Sequence, residues 1–136
     1  MRISNNVSSH DTDKLCETVL NLNKNITSVA IINKHGRAEA SSQRNSNERF
    51  PIHISELFLM HCILEISIGR DFDEQYGPIN YYISERPNLM LFTFPYYDGA
   101  VIVSINKNVY PISIAEEIAI LLRTKTISGR IITSIR

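Results

Sequence analysis

The segment from Glu56 to Ile68 constrains the fold more than any other, because nine of its thirteen residues are apolar. We predict that it forms a helix, which begins near Pro51, a residue type favoured in the first helical turn, and runs to about Asp71. A helix on the surface of a small domain carries one apolar stripe. A helix that is apolar on nearly all sides must be covered from a second direction, by another molecule or by another part of the chain.

A shorter helix is predicted before this segment, over residues 11–23, because Leu15 and Val19 recur at helical spacing. Residues 1–10 are rich in Asn and Ser, and residues 124–136 carry basic but no acidic side chains. We expect both ends to be loose tails.

Two strands are predicted between the helices, over 27–33 and 37–42, joined by an Asn-Lys-His-Gly turn in which Gly36 can adopt positive φ. The first strand is apolar on both faces, which is typical of a central strand covered on both sides. Ala38 and Ala40 should share one face of the second strand. Their small side chains would let a helix or a neighbouring backbone approach closely.

Three further strands are predicted over 78–84, 89–94 and 100–106, separated by Pro- and Gly-containing turns. A last helix should begin near Ser113, where Ser-Ile-Ala-Glu forms a capping box. The predicted class is therefore α+β, with the order α-β-β-α-β-β-β-α. We interpret the whole chain, 1–136, as a single domain, because no segment is long enough to act as a linker.

The charge balance and the short apolar runs of the sequence exclude some classes of protein. The 14 Lys and Arg residues balance the 14 Asp and Glu residues, whereas a protein that binds nucleic acid usually carries a basic excess. The first residues lack the apolar run of a secretory signal, and no apolar run is long enough to span a bilayer. We expect a cytoplasmic protein that binds neither nucleic acid nor a membrane.

Motifs for catalysis, cofactor binding and metal binding are absent from the sequence. It contains no G-x-S-x-G, no phosphate-binding loop and no G-x-G-x-x-G, and its histidines and cysteines lack metal-ligand spacing. Asp71, Asp73 and Glu74 lie close together, but an acidic, solvated loop is common after a helix. We predict no catalytic residue, no cofactor and no metal. An enzyme whose site is assembled from distant residues would leave no such motif.

The order of elements and several short segments resemble the roadblock (dynein light chain type) family of the profilin-like group. The chain is most similar to small archaeal roadblock-like proteins whose function is uncharacterised. The resemblance covers about residues 12–123 and rests on the segments VAIINKHG, IGRDFDEQYG, YYISERPN, LMLFTF and AVIVSI. It implies a five-stranded antiparallel sheet with one long helix on one face and the terminal helices on the other.

The resemblance also implies a homodimer. In roadblock-like proteins the third strand is an edge that pairs with its twin, and the long helices pack together; by position these are residues 78–84 and 55–68. This agrees with the independent observation that the helix is too apolar for a lone domain. The implied interface residues are Leu57, Met60, His61, Leu64, Ile68, Ile79, Tyr81, Tyr82 and Ile83. Arg70, Glu85 and Arg86 match the family pattern and are weaker candidates for binding a further partner.

The leading hypothesis is a non-enzymatic, homodimerising interaction module, and the resemblance suggests a small GTPase or another signalling component as its partner. The alternative is a PAS-like sensory domain that binds a small molecule between sheet and helix, where Ala38, Ala40 and Ala100 could leave a cavity. A third alternative is a monomer whose own tail covers the long helix. The sequence does not name the partner.

Overall fold

A computed structural model describes residues 9–44 and 56–129, and their side chains over 10–44 and 56–125. The elements in chain order are α1 (Ser9–Leu20), β1 (Ile26–Ile32), β2 (Ala38–Gln43), α2 (Glu56–Gly69), a 3-10 turn (Arg70–Phe72), the short α3 (Asp73–Tyr76), β3 (Tyr82–Arg86), β4 (Leu89–Tyr96), β5 (Gly99–Ile105) and α4 (Pro111–Gly129). The predicted start of the long helix near Pro51 lies outside the described residues, as do the chain ends 1–8 and 130–136.

The five strands form one antiparallel sheet in the order β2-β1-β5-β4-β3. On one face the buried side chains of α1 and α4 pack against the sheet, and on the other face Cys62, Ile63 and Ile66 of α2 do so. The predicted α+β class and the placement of the long helix opposite the terminal helices are therefore confirmed.

Strand β5 shows how the two faces are built. Val101, Val103 and Ile105 belong to the cluster under α1 and α4, whereas Ala100 and Ile102 belong to the cluster under α2. All seven residues of the strand are buried. A strand covered on both faces reads as a continuous apolar run, because each alternate side chain enters a different core.

The turn after β1 brings that hairpin against α2. Gly36 has φ 78°, as predicted, and its amide donates to the Asn33 carbonyl at 2.9 Å. A Cβ on Gly36 would lie 3.2 Å from the backbone N and Cα of Met60, so the missing side chain allows the close approach of α2.

The two alanines of β2 do not share a face. The register of β1 and β2 shifts between Ile31, which lies opposite Ala40, and Ile32, which lies opposite Ala38. A bulge of this kind inserts an extra residue and reverses the side on which the next residue points. Ala40 is accordingly buried in the cluster under α1 and α4, whereas Ala38 is exposed. The prediction of a shared face is wrong.

The bounds of two other elements differ from the predictions. Strand β3 begins at Tyr82 rather than at residue 78, and it pairs with β4 only as far as Thr93. If β3 started earlier and kept pairing with β4, residue 80 would lie opposite Pro95 of β4. Pro95 has no amide hydrogen to donate to a neighbouring strand. Helix α4 begins at Pro111, ahead of Ser113, and continues through residues 124–129, where a loose tail was expected.

Both cysteines are buried thiols in the folded protein, with 0% exposure at Cys16 and 2% at Cys62. Burial, reinforced by the charge of Asp13, raises the pKa of the Cys16 thiol to about 12. Burial also raises the pKa of the Cys62 thiol, to about 11, against a hydrogen bond with Thr93 that lowers it. Both side chains are therefore neutral at physiological pH.

These thiols predict a loss of stability at alkaline pH. In the unfolded chain both thiols ionise near pH 8.5. Their contribution to the free energy of unfolding is therefore complete below that pH and is lost as the pH rises toward 11 for Cys62 and 12 for Cys16. Urea denaturation from pH 7 to 10.5 should show the free energy of unfolding falling by up to about 1.4 kcal/mol per pH unit for each thiol. Cys16→Ala should reduce that slope. If the free energy of unfolding of Cys16→Ala fell with pH as steeply as that of the wild type, the raised pKa of Cys16 would be contradicted.

A second prediction concerns Gly99, where β5 begins beside the end of β1. A Cβ at this position would collide with the carbonyl oxygen of Ile32 and lie 3.0 Å from the Asn33 Cα. Gly99→Ala should therefore lower the free energy of unfolding by at least about 2 kcal/mol. Urea denaturation at one protein concentration measures the change, with Ser41→Ala on the exposed side of β2 as the control. Equal midpoints for the two variants would contradict the prediction.

Candidate interaction surface

Helix α2 buries one face and leaves an apolar stripe on the opposite face. Leu57, Leu64 and Ile68 are 78%, 50% and 59% exposed, and His61 is exposed between them. At 3.6 residues per turn these four side chains fall within an arc of about 60°. We refer to Leu57, His61, Leu64 and Ile68 as the α2 stripe.

Strand β3 lies beside α2 and forms one edge of the sheet. Near one end of the strand, the Arg86 guanidinium carbon lies 5.9 Å from the centre of the Phe58 ring. Near the other end, the Tyr82 hydroxyl donates to the Glu65 carbonyl oxygen at 3.2 Å. Helix and strand therefore run side by side in opposite directions over most of the length of β3.

A groove of about 720 Å³ lies between the α2 stripe and the segment that leads into β3. We refer to it as the α2–β3 groove. Its walls are mostly apolar, and the lining residues are His61, Leu64, Glu65, Ile68, Gly69, Phe72, Tyr76, Gly77, Ile79 and Tyr82. The stripe and the groove together form one continuous apolar surface beside the open edge of the sheet.

Contact between Gly69 and Tyr82 fixes the wall of this groove. A Cβ on Gly69 would lie only 2.5 Å from the Tyr82 hydroxyl oxygen, so the absence of a side chain lets that hydroxyl reach the Glu65 carbonyl. Burial, followed by the charges of Glu65 and Asp73, raises the pKa of Tyr82. The hydroxyl therefore stays protonated and remains a donor at physiological pH.

The structure brings most of the predicted interface residues to this surface. The α2 stripe, Ile79 and Tyr82 line it. Ile83 is exposed on β3, but it lies opposite Phe92 and therefore points to the other face of the sheet. Met60 is half-buried on the flank of α2 that contacts Gly36. Tyr81 lies on the other face, where its ring centre is 5.8 Å from that of Phe94. Tyr81 and Tyr82 therefore cannot act as a pair.

The three weaker candidates are not brought together. Arg70 follows α2 and donates to the Tyr97 carbonyl oxygen at 2.9 Å, in the turn where Tyr97 has φ 54°. Glu85 lies at the opposite end of α2 and forms an ion pair with Lys107, at 3.5 Å. Arg86 stacks on Phe58 there. Each therefore has a contact within the chain.

Two aromatic residues of the surface were not predicted from the sequence. Phe72 is 51% exposed and Tyr76 is 81% exposed, and both line the groove. They continue the stripe at intervals of four residues beyond Ile68. That spacing is a usable signal, but the predicted helical part of the interface ends at Ile68, and the acidic side chains that follow are interpreted as part of a solvated loop.

Around Ala100, the space between the sheet and α2 is filled by apolar side chains. Ala100 has 0% exposure and packs under α2 with Ile63 and Ile66. Across residues 9–44 and 56–129, no three His, Cys, Asp or Glu side chains form a cluster that could hold a metal ion. No helix in the described part of the chain is long and apolar enough to cross a membrane.

The Gly69–Tyr82 contact generates a prediction that a pair of variants can test. Gly69→Ala should displace the Tyr82 hydroxyl, and the lost hydrogen bond should cost about 1 kcal/mol of stability, which the higher helix propensity of alanine partly offsets. In a Tyr82→Phe background the same substitution should be neutral or stabilising by up to about 1 kcal/mol, because alanine favours a helix more than glycine does. Urea midpoints of the wild type, the two single variants and the double variant measure the coupling between Gly69 and Tyr82. If the effects of the two substitutions were additive, the prediction would be contradicted.

Comparison with known proteins identifies the fold. By sequence, no family model and no curated protein matches the chain. By structure, a roadblock/LC7 domain from Streptomyces avermitilis is similar, with TM-score 0.62 and 14% identity over 84% of this chain and 93% of that one.

Two further solved structures are similar. One, described as MglB with tetrameric arrangement, has TM-score 0.64 and 9% identity over 96% of both chains. The other is a LokiProfilin1 complex with rabbit actin, one chain of which gives TM-score 0.54 and 17% identity over 89% of this chain and 98% of its own. The chain therefore has the fold shared by roadblock/LC7 domains and profilin-like proteins.

Proposed function

We propose that the protein is a non-enzymatic interaction module that forms a homodimer through the α2 stripe and the edge of β3. The observation that carries the proposal is the placement of both features on one side of the molecule. A helix with a second apolar stripe and a sheet with an open edge each require a partner. A second copy of the chain can cover the α2 stripe of the first and pair with the edge of its β3.

The size of the stripe indicates how much it can contribute. Leu57, Leu64 and Ile68 are each half or more exposed, so covering them contributes about 1 kcal/mol apiece, or about 6 kcal/mol for two copies. Association itself costs an estimated 4–15 kcal/mol or more. The stripe alone would barely offset that cost. The apolar groove and the edge of β3 are therefore needed as further parts of the interface.

The edge of β3 is suited to this role. Within the described residues β3 has a neighbouring strand on one side only, and exposed Ile83 lies on it. Pairing with a second β3 would satisfy the outward amides and carbonyls of both strands. It would also remove the edge as a site of aggregation.

A further protein is proposed to dock on the assembled dimer. The structure described as MglB with tetrameric arrangement supports assembly as a use of this fold. The roadblock resemblance suggests a signalling component, such as a small GTPase in the cytoplasm, as the partner. We propose Arg70, Glu85 and Arg86 as weaker candidates for contact with that partner.

Light scattering tests the proposed dimer through Leu64→Lys. The wild type should have twice the 15.5 kDa mass of the chain. Leu64→Lys should raise the dissociation constant by about 30-fold or more, since each interface would hold two lysines and each substitution loses about 1 kcal/mol of apolar burial in addition to the cost of desolvating the charge.

Ile112→Lys is the matched control, because Ile112 is 44% exposed on α4, on the other face of the sheet. This variant should remain dimeric. A monomeric wild type, or equal dissociation of both variants, would refute the proposed function.

A further inference from the structure

A cavity of about 290 Å³ lies at one end of the sheet, beside the first turn of α1 and the turns that join β1 to β2 and β4 to β5. We refer to it as the sheet-end cavity. Ile31 and Tyr96 are buried residues of its lining, and both belong to the core cluster under α1 and α4. The cavity therefore lies on the α1 side of the sheet, away from the α2 stripe.

The lining contains a buried hydroxyl that lacks a hydrogen bond. Tyr96 is 8% exposed, and within residues 9–44 and 56–129 its hydroxyl has no hydrogen-bond partner. A buried polar group without a partner costs free energy, so most such groups in folded proteins are paired. Because Tyr96 lines the cavity, a molecule that enters the cavity can supply the missing partner.

The electrostatic environment of this hydroxyl is negative. Burial, followed by the neighbouring Tyr97 and the charge of Asp11, raises the pKa of Tyr96 to about 12. The hydroxyl is therefore protonated at physiological pH, and its oxygen can still accept a hydrogen bond. Asp11 lies in the first turn of α1, where its charge also offsets the positive end of the helix dipole.

Two further carboxylates line the cavity. Glu39 lies on β2, and Asp98 lies in the turn between β4 and β5. Lys34 is the one lysine or arginine among the described lining residues. The acidic side chains at and beside the cavity therefore outnumber the strongly basic ones, and the cavity favours a cation over an anion.

We propose that the sheet-end cavity binds a small organic cation through an ammonium group. The ammonium hydrogens donate to the Tyr96 hydroxyl and to the carboxylates of Asp98 and Glu39, and the tyrosine rings attract the charge. A volume of about 290 Å³ is near the lower limit for ligand pockets, so the ligand carries only a few carbon atoms. This site is independent of the proposed homodimer, which uses α2 and the edge of β3.

The turn that carries Tyr97 and Asp98 is held by contacts within the chain. Tyr97 has φ 54° at the first position of a two-residue hairpin loop, where glycine, asparagine or aspartate is usual. Its carbonyl accepts from Arg70, and its ring packs edge-on against that of Tyr96, with the ring centres 4.7 Å apart. Strained residues of this kind are concentrated at binding sites, where surrounding contacts maintain them. This wall of the cavity is therefore preorganised for a ligand.

Calorimetric titration with three compounds that share a chain of four carbon atoms tests the preference for a cation. Putrescine has an ammonium group at each end, butanediol has hydroxyls and succinate has carboxylates. At constant ionic strength, one putrescine should bind per chain, and the other two compounds should bind about 10-fold more weakly or not at all, because neither supplies a positive charge. Equal binding of all three compounds, or no binding of putrescine, would overturn the proposal.

Tyr96→Phe tests the role of the buried hydroxyl. The substitution removes one hydrogen-bonding group and keeps the ring, so the affinity for putrescine should fall about 5-fold. The urea midpoint without putrescine should stay the same or rise, because no described residue loses a hydrogen bond. A hydroxyl with a purely structural role would instead lower the midpoint when removed, and that result would count against the site.

Matched variants control for indirect effects on binding. Tyr110→Phe makes the same change at a tyrosine that is 71% exposed beyond the opposite end of the sheet, and it should bind putrescine as the wild type does. Asp98→Asn should weaken binding about 5-fold, whereas Glu117→Gln on the exposed side of α4 should not. Equal affinities of Tyr96→Phe and Tyr110→Phe would overturn the proposal. Leu64→Lys should keep the wild-type affinity, so the site can be established whether or not the chain dimerises.

Discussion

Burial of β5 on both faces is the constraint on which the rest of the structure depends. Its side chains alternate between two cores, so a helix is required on each side of the sheet. Among the described residues, helices α1 and α4 together cover one face, whereas α2 is the one helix on the other. Within that part of the chain the second face is therefore thinner, and the outer side of α2 is exposed. The exposed α2 stripe follows from this asymmetry.

Close backbone contacts locate α2 on that face. Gly36 admits the backbone of Met60, and Gly69 admits the hydroxyl of Tyr82, so the helix is held at both ends against different parts of the sheet. The Tyr82 contact also sets the position of β3 along the axis of α2. A change at Gly69 would therefore affect helix and strand together.

Part of the interaction surface was visible in the sequence and part was not. The excess of apolar residues between Glu56 and Ile68 predicted a helix covered from two directions, because periodicity and composition are local properties. The separation of Tyr81 from Tyr82 follows from the alternation of side chains along a strand. The contacts of Arg70 and Glu85 within the chain were not predictable. They depend on which strands adjoin and where pairing stops.

The sequence by itself determined the order of the main elements, the α+β class and the apolar excess of α2, since these depend on apolar spacing and turn chemistry along the chain, whereas the antiparallel sheet was implied by the family resemblance. Only the tertiary structure decided the bulge that separates Ala38 from Ala40, the end of β3 pairing near Pro95, and the contacts that place β3 beside α2. The physical reason is that register between strands and the packing of a helix on a sheet are set by contacts between distant residues, and a local pattern does not encode them.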